Sequence, residues 1–240
     1  MARFIKKHKK EIGLPPDEWY FRGHKKIENV LLRIIDFDSN NLTEDDVESV
    51  KEISEFQYKD TVTWINVDGL HNTSIMQEIS SAFNLDILVM AEVLNTEARP
   101  RIIEYDNCAL ITIKMLRLDE KNGKTLVENL SLILTKTVLS SFQEQKGDVF
   151  EPVRERIRKQ KKRIRNGGTD YLTFALLDIV VDNYLYVISI LGEKIETLEE
   201  NLLLNPNQNI INEINNYKRE LNFLRKSIKI FENCSVRPFR

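Results

Sequence analysis

The spacing of apolar positions changes along the chain, and each change marks a different kind of element. After Gly13-Leu14-Pro15-Pro16, where the prolines fix their own backbone angles and extend the residues before them, Val30-Leu31-Leu32-Arg33-Ile34-Ile35 is short, aliphatic and β-branched. Thr61-Val62-Thr63-Trp64-Ile65-Asn66-Val67 alternates in the manner of a half-buried strand. Both segments predict strands. Between them, Thr43-Glu44-Asp45-Asp46 combines a hydroxyl cap with early acids, and the helical pattern it opens continues through Val47, Val50 and Ile53. Further helices are predicted from Thr73 to Phe83 and from Asp86 to Asn95. A β-rich block follows, in which Cys108 to Leu118 and Thr125 to Leu134 flank Lys121-Asn122-Gly123-Lys124. The Asn-Gly pair there suits a tight hairpin turn with positive φ, and Val138 to Gln143 reads as a third strand.

From Asp148 onward the pattern is helical. A long helix is predicted from about Thr169 to Leu204, with Asn205-Pro206-Asn207 as its break. Beyond it, Ile210, Ile214, Tyr217, Leu221, Leu224, Ile228 and Phe231 recur at alternating intervals of four and three, a heptad seam that predicts packing on a partner helix and hence a helical hairpin. No terminal Gly cap follows Phe231, so the helix is expected to run past Arg240. The chain therefore divides into a basic leader (1–14), an α+β region (15–145) with helices covering a central sheet, and a helical region (146–240).

Charge narrows the function classes. Lys plus Arg number 35 against 37 Asp plus Glu, a formal net charge of -2, so no global positive field is available to hold a nucleic-acid backbone. The local exception is the stretch from Arg154 to Arg165, which serves either as an anion site or as a helix face paired with acidic neighbours. Gly167-Gly168 lacks the spacing and the Lys-Ser/Thr of a phosphate-cradling loop. Cys108 and Cys234 have no ligand or disulfide-framework spacing, and His8, His24 and His71 sit in unlike contexts that favour structural roles. With no nucleophile-base constellation, an enzyme is the least favoured class.

The basic N-terminus is followed by no apolar stretch of the secretory kind, and no unbroken apolar run long enough for a spanning helix is present. The nearest approach, Phe174 to Leu191, contains Asp178, Asp182 and Asn183. Those two carboxylates lie four apart on one helix face and repel. Either the basic stretch upstream offsets that repulsion or a divalent cation does, carboxylate oxygens being suitable ligands for a hard ion such as magnesium.

At this point the ordered motifs resemble those of the CorA-type magnesium and cobalt transporters, in their N-terminal cytoplasmic domain. The resemblance is carried by Gly13-Leu14-Pro15-Pro16, Asp46-Val47-Glu48-Ser49-Val50, Thr63-Trp64-Ile65-Asn66-Val67 with Gly69 and His71, Leu94-Asn95 with Arg99-Pro100, Ser131 to Lys136, and above all Gly147 to Arg158. It implies an α/β/α funnel domain with a largely antiparallel or mixed sheet, feeding long helices and a stalk that enters the membrane. It also implies a homopentamer whose pore lies beyond Arg240, with this region in the cytoplasm and soluble as a fragment. Acidic residues at subunit interfaces would then bind regulatory magnesium, with cobalt or other divalent ions as alternatives. By position, Glu92 and Asp178 carry over as metal residues; Glu92 stands where the pattern often has Asp, and Ala91 where related sequences can have Glu. The same fold serves ZntB-type zinc transporters, and a soluble helical-hairpin interaction protein is the reading from a different class.

Overall fold

A computed structural model describes residues 13, 15, 18–56, 59–119, 125–204 and 208–234, with the side chains of 204, 208–209 and 229–234 outside the description. Seven strands form one sheet: β1 (Leu31–Phe37), β2 (Leu42–Val47), β3 (Val62–Asp68), β4 (Arg101–Glu104), β5 (Ala109–Leu118), β6 (Thr125–Leu134) and β7 (Val138–Gln143). Their spatial order is β2-β1-β3-β7-β6-β5-β4. Every pairing is antiparallel except β3 with β7, which lie parallel because the chain leaves β3 through helices and returns by way of β4 to β6. β5 and β6 stay in register out to Leu118 opposite Thr125, as a hairpin requires, although the predicted Asn-Gly turn itself lies outside the described residues.

Helices cover both faces, which makes the architecture α+β in three layers. On one face lie α1 (Val50–Ser54), α2 (Thr73–Ala82) and α3 (Ile87–Val93). Their inward residues, among them Ile53, Met76, Ile79 and Met90, share a core with Ile34, Ile65 and Phe142 of the sheet. Asn72 starts α2 by accepting from the Ser74 and Ile75 amides at 3.1 and 3.3 Å. On the other face lie α4 (Glu151–Arg158), α5 (Lys162–Asn166), α6 (Gly168–Leu204) and α7 (Gln208–Cys234). There Trp64 meets Phe150 edge-on at 5.9 Å, and Leu172, Leu176, Val180, Tyr184, Val187 and Leu191 of α6 form a buried row.

By length and composition α6 could cross a membrane, but its apolar row packs on the sheet while Asp178 and Asp182 face outward. The helical hairpin is present, with the predicted Asn205-Pro206-Asn207 break outside the described residues. Its seam is covered on one row: Ile210 and Leu224 are buried and Tyr217 and Ile228 half-buried, whereas Ile214 and Leu221 stay exposed. Phe231 and the helix end fall outside the described side chains.

One predicted element is overturned. Thr43-Glu44-Asp45-Asp46 is not a helix start but most of the edge strand β2. The acids that suited a first helical turn are instead consumed by pairing across the fold, Asp46 with Arg33 at 2.8 Å and Glu44 with Arg158 at 2.6 Å, and charge on an edge strand deters further pairing. The helix begins later, where the Glu52 carboxylate accepts from the Ser49 amide and hydroxyl. The short strand β4 escapes the pattern altogether, since four residues are too few to display a period.

Candidate functional site

Helix α3 is entered through Asp86, whose carboxylate accepts from the Leu88 amide at 2.7 Å. Val89, Met90 and Val93 are its buried side, which turns the intervening Ala91 and Glu92 toward the rim of the layer. Glu92 is 29% exposed and forms an ion pair with Arg101, the first residue of β4. This partner was not legible in the sequence, because the two lie nine positions apart across a turn and no spacing rule connects them.

Asp178 lies on the outward face of α6, exposed, one turn beyond the exposed ring of Phe174. Neither Asp178 nor Asp182 has an ion pair among the described residues, so the upstream basic stretch does not serve them as the sequence suggested. That stretch is occupied nearer home. Arg154 binds Asp148, Arg158 binds Glu44 and Glu151, Lys159 binds Glu155, and Arg165 donates to the carbonyls of Ile157, Asp38 and Asn41. Exposure to water is what makes the Asp178–Asp182 proximity tolerable. Because α3 and α6 cover opposite faces of the sheet, the chain places Glu92 and Asp178 in different layers and does not gather them into one site. Among the described residues no group of three or more Asp, Glu, His or Cys is arranged so that it could hold a metal ion.

The sheet carries buried polar and charged groups on both faces that the sequence reading missed. Lys114, in the middle of β5, donates to the Thr96 carbonyl at 3.1 Å and to Asn129 Oδ1 at 2.9 Å. Burial pushes its ammonium down to about 8. Glu144 accepts from the Asn129 amide at 2.8 Å and pairs with Lys26 at 2.7 Å. Glu128, 3% exposed, accepts from the Glu144 amide, and burial pushes its carboxyl up to about 7 despite Arg117 at 4.0 Å. At the end of β3, Asp68 accepts from Asn66 and Gln143 at 2.8 and 2.6 Å; burial and the nearby charge of Asp148 raise it to about 6. The visible signal was a charged or amide residue interrupting an apolar strand, as Lys114 and Asn129 do, but which of them meet depends on strand order. His71 has one ring nitrogen 3.1 Å from the Glu28 carbonyl.

Comparison with known proteins gives this geometry a context. The family model described as CorA-like Mg2+ transporter protein matches residues 59–230. The cobalt/magnesium transport protein CorA of Thermotoga maritima is 35% identical over 216 residues, which cover 90% of this chain and 61% of that protein. The soluble domain of CorA from Methanocaldococcus jannaschii superposes with a TM-score of 0.67 at 17% identity, covering 86% of this chain and 80% of that one. The complete CorA magnesium transporter of the same organism gives 0.70 at 18% identity, covering 89% of this chain and 65% of that one. The cytoplasmic domain of ZntB from Vibrio parahaemolyticus shares the fold at 0.60 and 11% identity, covering 85% of this chain and 79% of that one. With the match running through the sheet and both long helices, the chain belongs to the CorA-like Mg2+ transporter family.

Proposed function

We propose that this chain is the cytoplasmic region of a CorA-like transporter of divalent cations, magnesium and cobalt among them, and that it senses magnesium at contacts between subunits of a homopentamer. The observation that carries this reading is the 35% identity to a cobalt/magnesium transport protein across 90% of the chain.

The donor set is compatible with a regulatory magnesium ion. Glu92 and Asp178 offer hard carboxylate oxygens, which suit an ion that keeps most of its waters and is held through them. The two acids lie in separate layers of the chain, which supports a reading in which groups of a neighbouring subunit complete any site that contains either. Magnesium bound there favours the closed arrangement by as much as it binds that arrangement better than the open one, and its loss leaves like charges to repel.

The test is magnesium-dependent inhibition of uptake by the full-length protein. Combining Glu92→Ala with Asp178→Ala is expected to weaken the inhibition by about tenfold or more in magnesium concentration, which corresponds to about 1.4 kcal/mol of differential binding. An unchanged inhibition curve would overturn the sensing role. Parallel uptake of zinc without magnesium or cobalt would instead support a ZntB-type transporter.

A further inference from the structure

Arg101 stands against the carboxylate of Glu92 at the end of a turn that joins α3 to β4. Its guanidinium engages the Glu92 carboxylate directly; the two side chains are 40% and 29% exposed, while Glu92 Oε2 and Arg101 Nε are themselves buried. The turn between them is held at several points. The Thr96 amide and hydroxyl both donate to the Arg22 carbonyl, at 2.9 and 3.0 Å, and the Arg22 amide donates to the Leu94 carbonyl at 2.8 Å. Lys114 holds the Thr96 carbonyl from beneath, and a side-chain carbon at Gly23 would come within 2.3 Å of the Thr96 hydroxyl, so the segment lies close against the turn. On the far side Arg101 enters β4 paired with Thr112 of β5. Pinned at both ends, the excursion from Glu92 to Arg101 keeps a positive charge at high effective concentration beside the carboxylate.

We propose that Arg101 is a threshold-setting residue: it occupies Glu92 when magnesium is scarce and must be displaced from it, or share it, when the ion binds. This rests on the sensing role proposed for Glu92. A dication outcompetes a monovalent guanidinium for a carboxylate, but the tether makes the competitor permanent, so the ion concentration needed for half-occupancy is higher than Glu92 alone would set. A half-exposed ion pair is a modest competitor, worth a few-fold in concentration rather than orders of magnitude.

The test measures magnesium protection of the full-length protein against limited proteolysis, at matched ionic strength. Arg101→Gln is expected to lower the protecting concentration about two- to fivefold, and Arg101→Lys to restore most of the original value. In a Glu92→Gln background, Arg101→Gln is expected to have no further effect, since the competitor then has nothing to occupy. An equal shift in both backgrounds, or none in the native one, would overturn the proposal. Should Glu92→Gln alone leave the midpoint unchanged, the sensing role falls and Arg101 with it; should it raise the midpoint while Arg101→Gln does nothing, only the role of Arg101 falls. If Arg101→Gln fails to fold, Arg101→Lys and the calorimetric magnesium affinity of the native and Glu92→Gln proteins at rising monovalent salt decide the matter. Salt that loosens the Arg101–Glu92 pair frees the carboxylate only in the native protein, so the first additions of salt must widen the affinity gap between them, and an unchanged or narrowing gap would overturn the proposal.

Discussion

Asp148→Asn is expected to lower the unfolding free energy by about 3–5 kcal/mol, the cost of leaving a buried charge without its partner. Asp148 and Arg154 are 7% and 4% exposed at their side chains, and the guanidinium donates to both carboxylate oxygens, at 2.8 and 2.5 Å. Asp148 also accepts from the Phe150 amide at 2.9 Å, fixing the entry into α4, while Arg154 lies 4.9 Å from the centre of the Trp64 ring. Asn preserves the shape and one acceptor but removes the charge. Glu151, 3.6 Å from Arg154 and more than half exposed, cannot take over the pairing from within the core. For a chain of this size the loss corresponds to roughly 6–20 °C in the melting temperature. Urea unfolding of Asp148→Asn beside Asp148→Asn with Arg154→Met checks the cause: the double variant is expected to recover part of the loss, and a single-variant loss below about 1 kcal/mol would mean that the pair is not desolvated.

The second large effect has the opposite sign. Glu128→Gln is expected to stabilise the chain by up to about 3 kcal/mol at pH 8 and to have little effect at pH 4. The Glu128 carboxyl is raised from 4.5 to about 7, first by burial and then by the charge of Glu144. Below pH 4.5 it is protonated in both the folded and unfolded chain. Between 4.5 and about 7 the folded chain keeps the proton that the unfolded chain releases, so stability declines as pH rises through that window. Above 7 the carboxylate is ionised in both states and the whole cost of burying it is present, which at 1.36 kcal/mol per unit gives the figure above. Gln can still accept from the Glu144 amide while carrying no charge. Chemical unfolding at intervals from pH 4 to pH 8 measures the difference directly; a variant less stable than the native chain at pH 8 would show that attraction to Arg117 outweighs burial.

Both effects arise in groups that the sequence shows but does not assemble. Asp148 and Arg154 lie within the segment Gly147 to Arg158 that carries the family resemblance, but the sequence reading did not pair them. Glu128 gave no such hint, because its surroundings come from β5, β7 and the segment before β1.

What the sequence determined by itself was the material that depends on near neighbours. The strands β3, β5, β6 and β7, the helices starting near Thr73 and Asp86 and the long helix ending near Leu204 follow from backbone geometry and turn chemistry acting over a few residues, and all lie where the pattern places them. The tertiary structure decided what depends on residues far apart. It put β3 beside β7, turned Thr43 to Asp46 into a strand because Arg33 and Arg158 await those acids, and left Ile214 and Leu221 exposed on a seam that reads as continuous. It also separated Glu92 from Asp178 by the thickness of a sheet and gave Glu92 a guanidinium partner. Local periodicity says which face of an element is apolar, whereas the identity of the charge opposite a given carboxylate is settled only when the layers close.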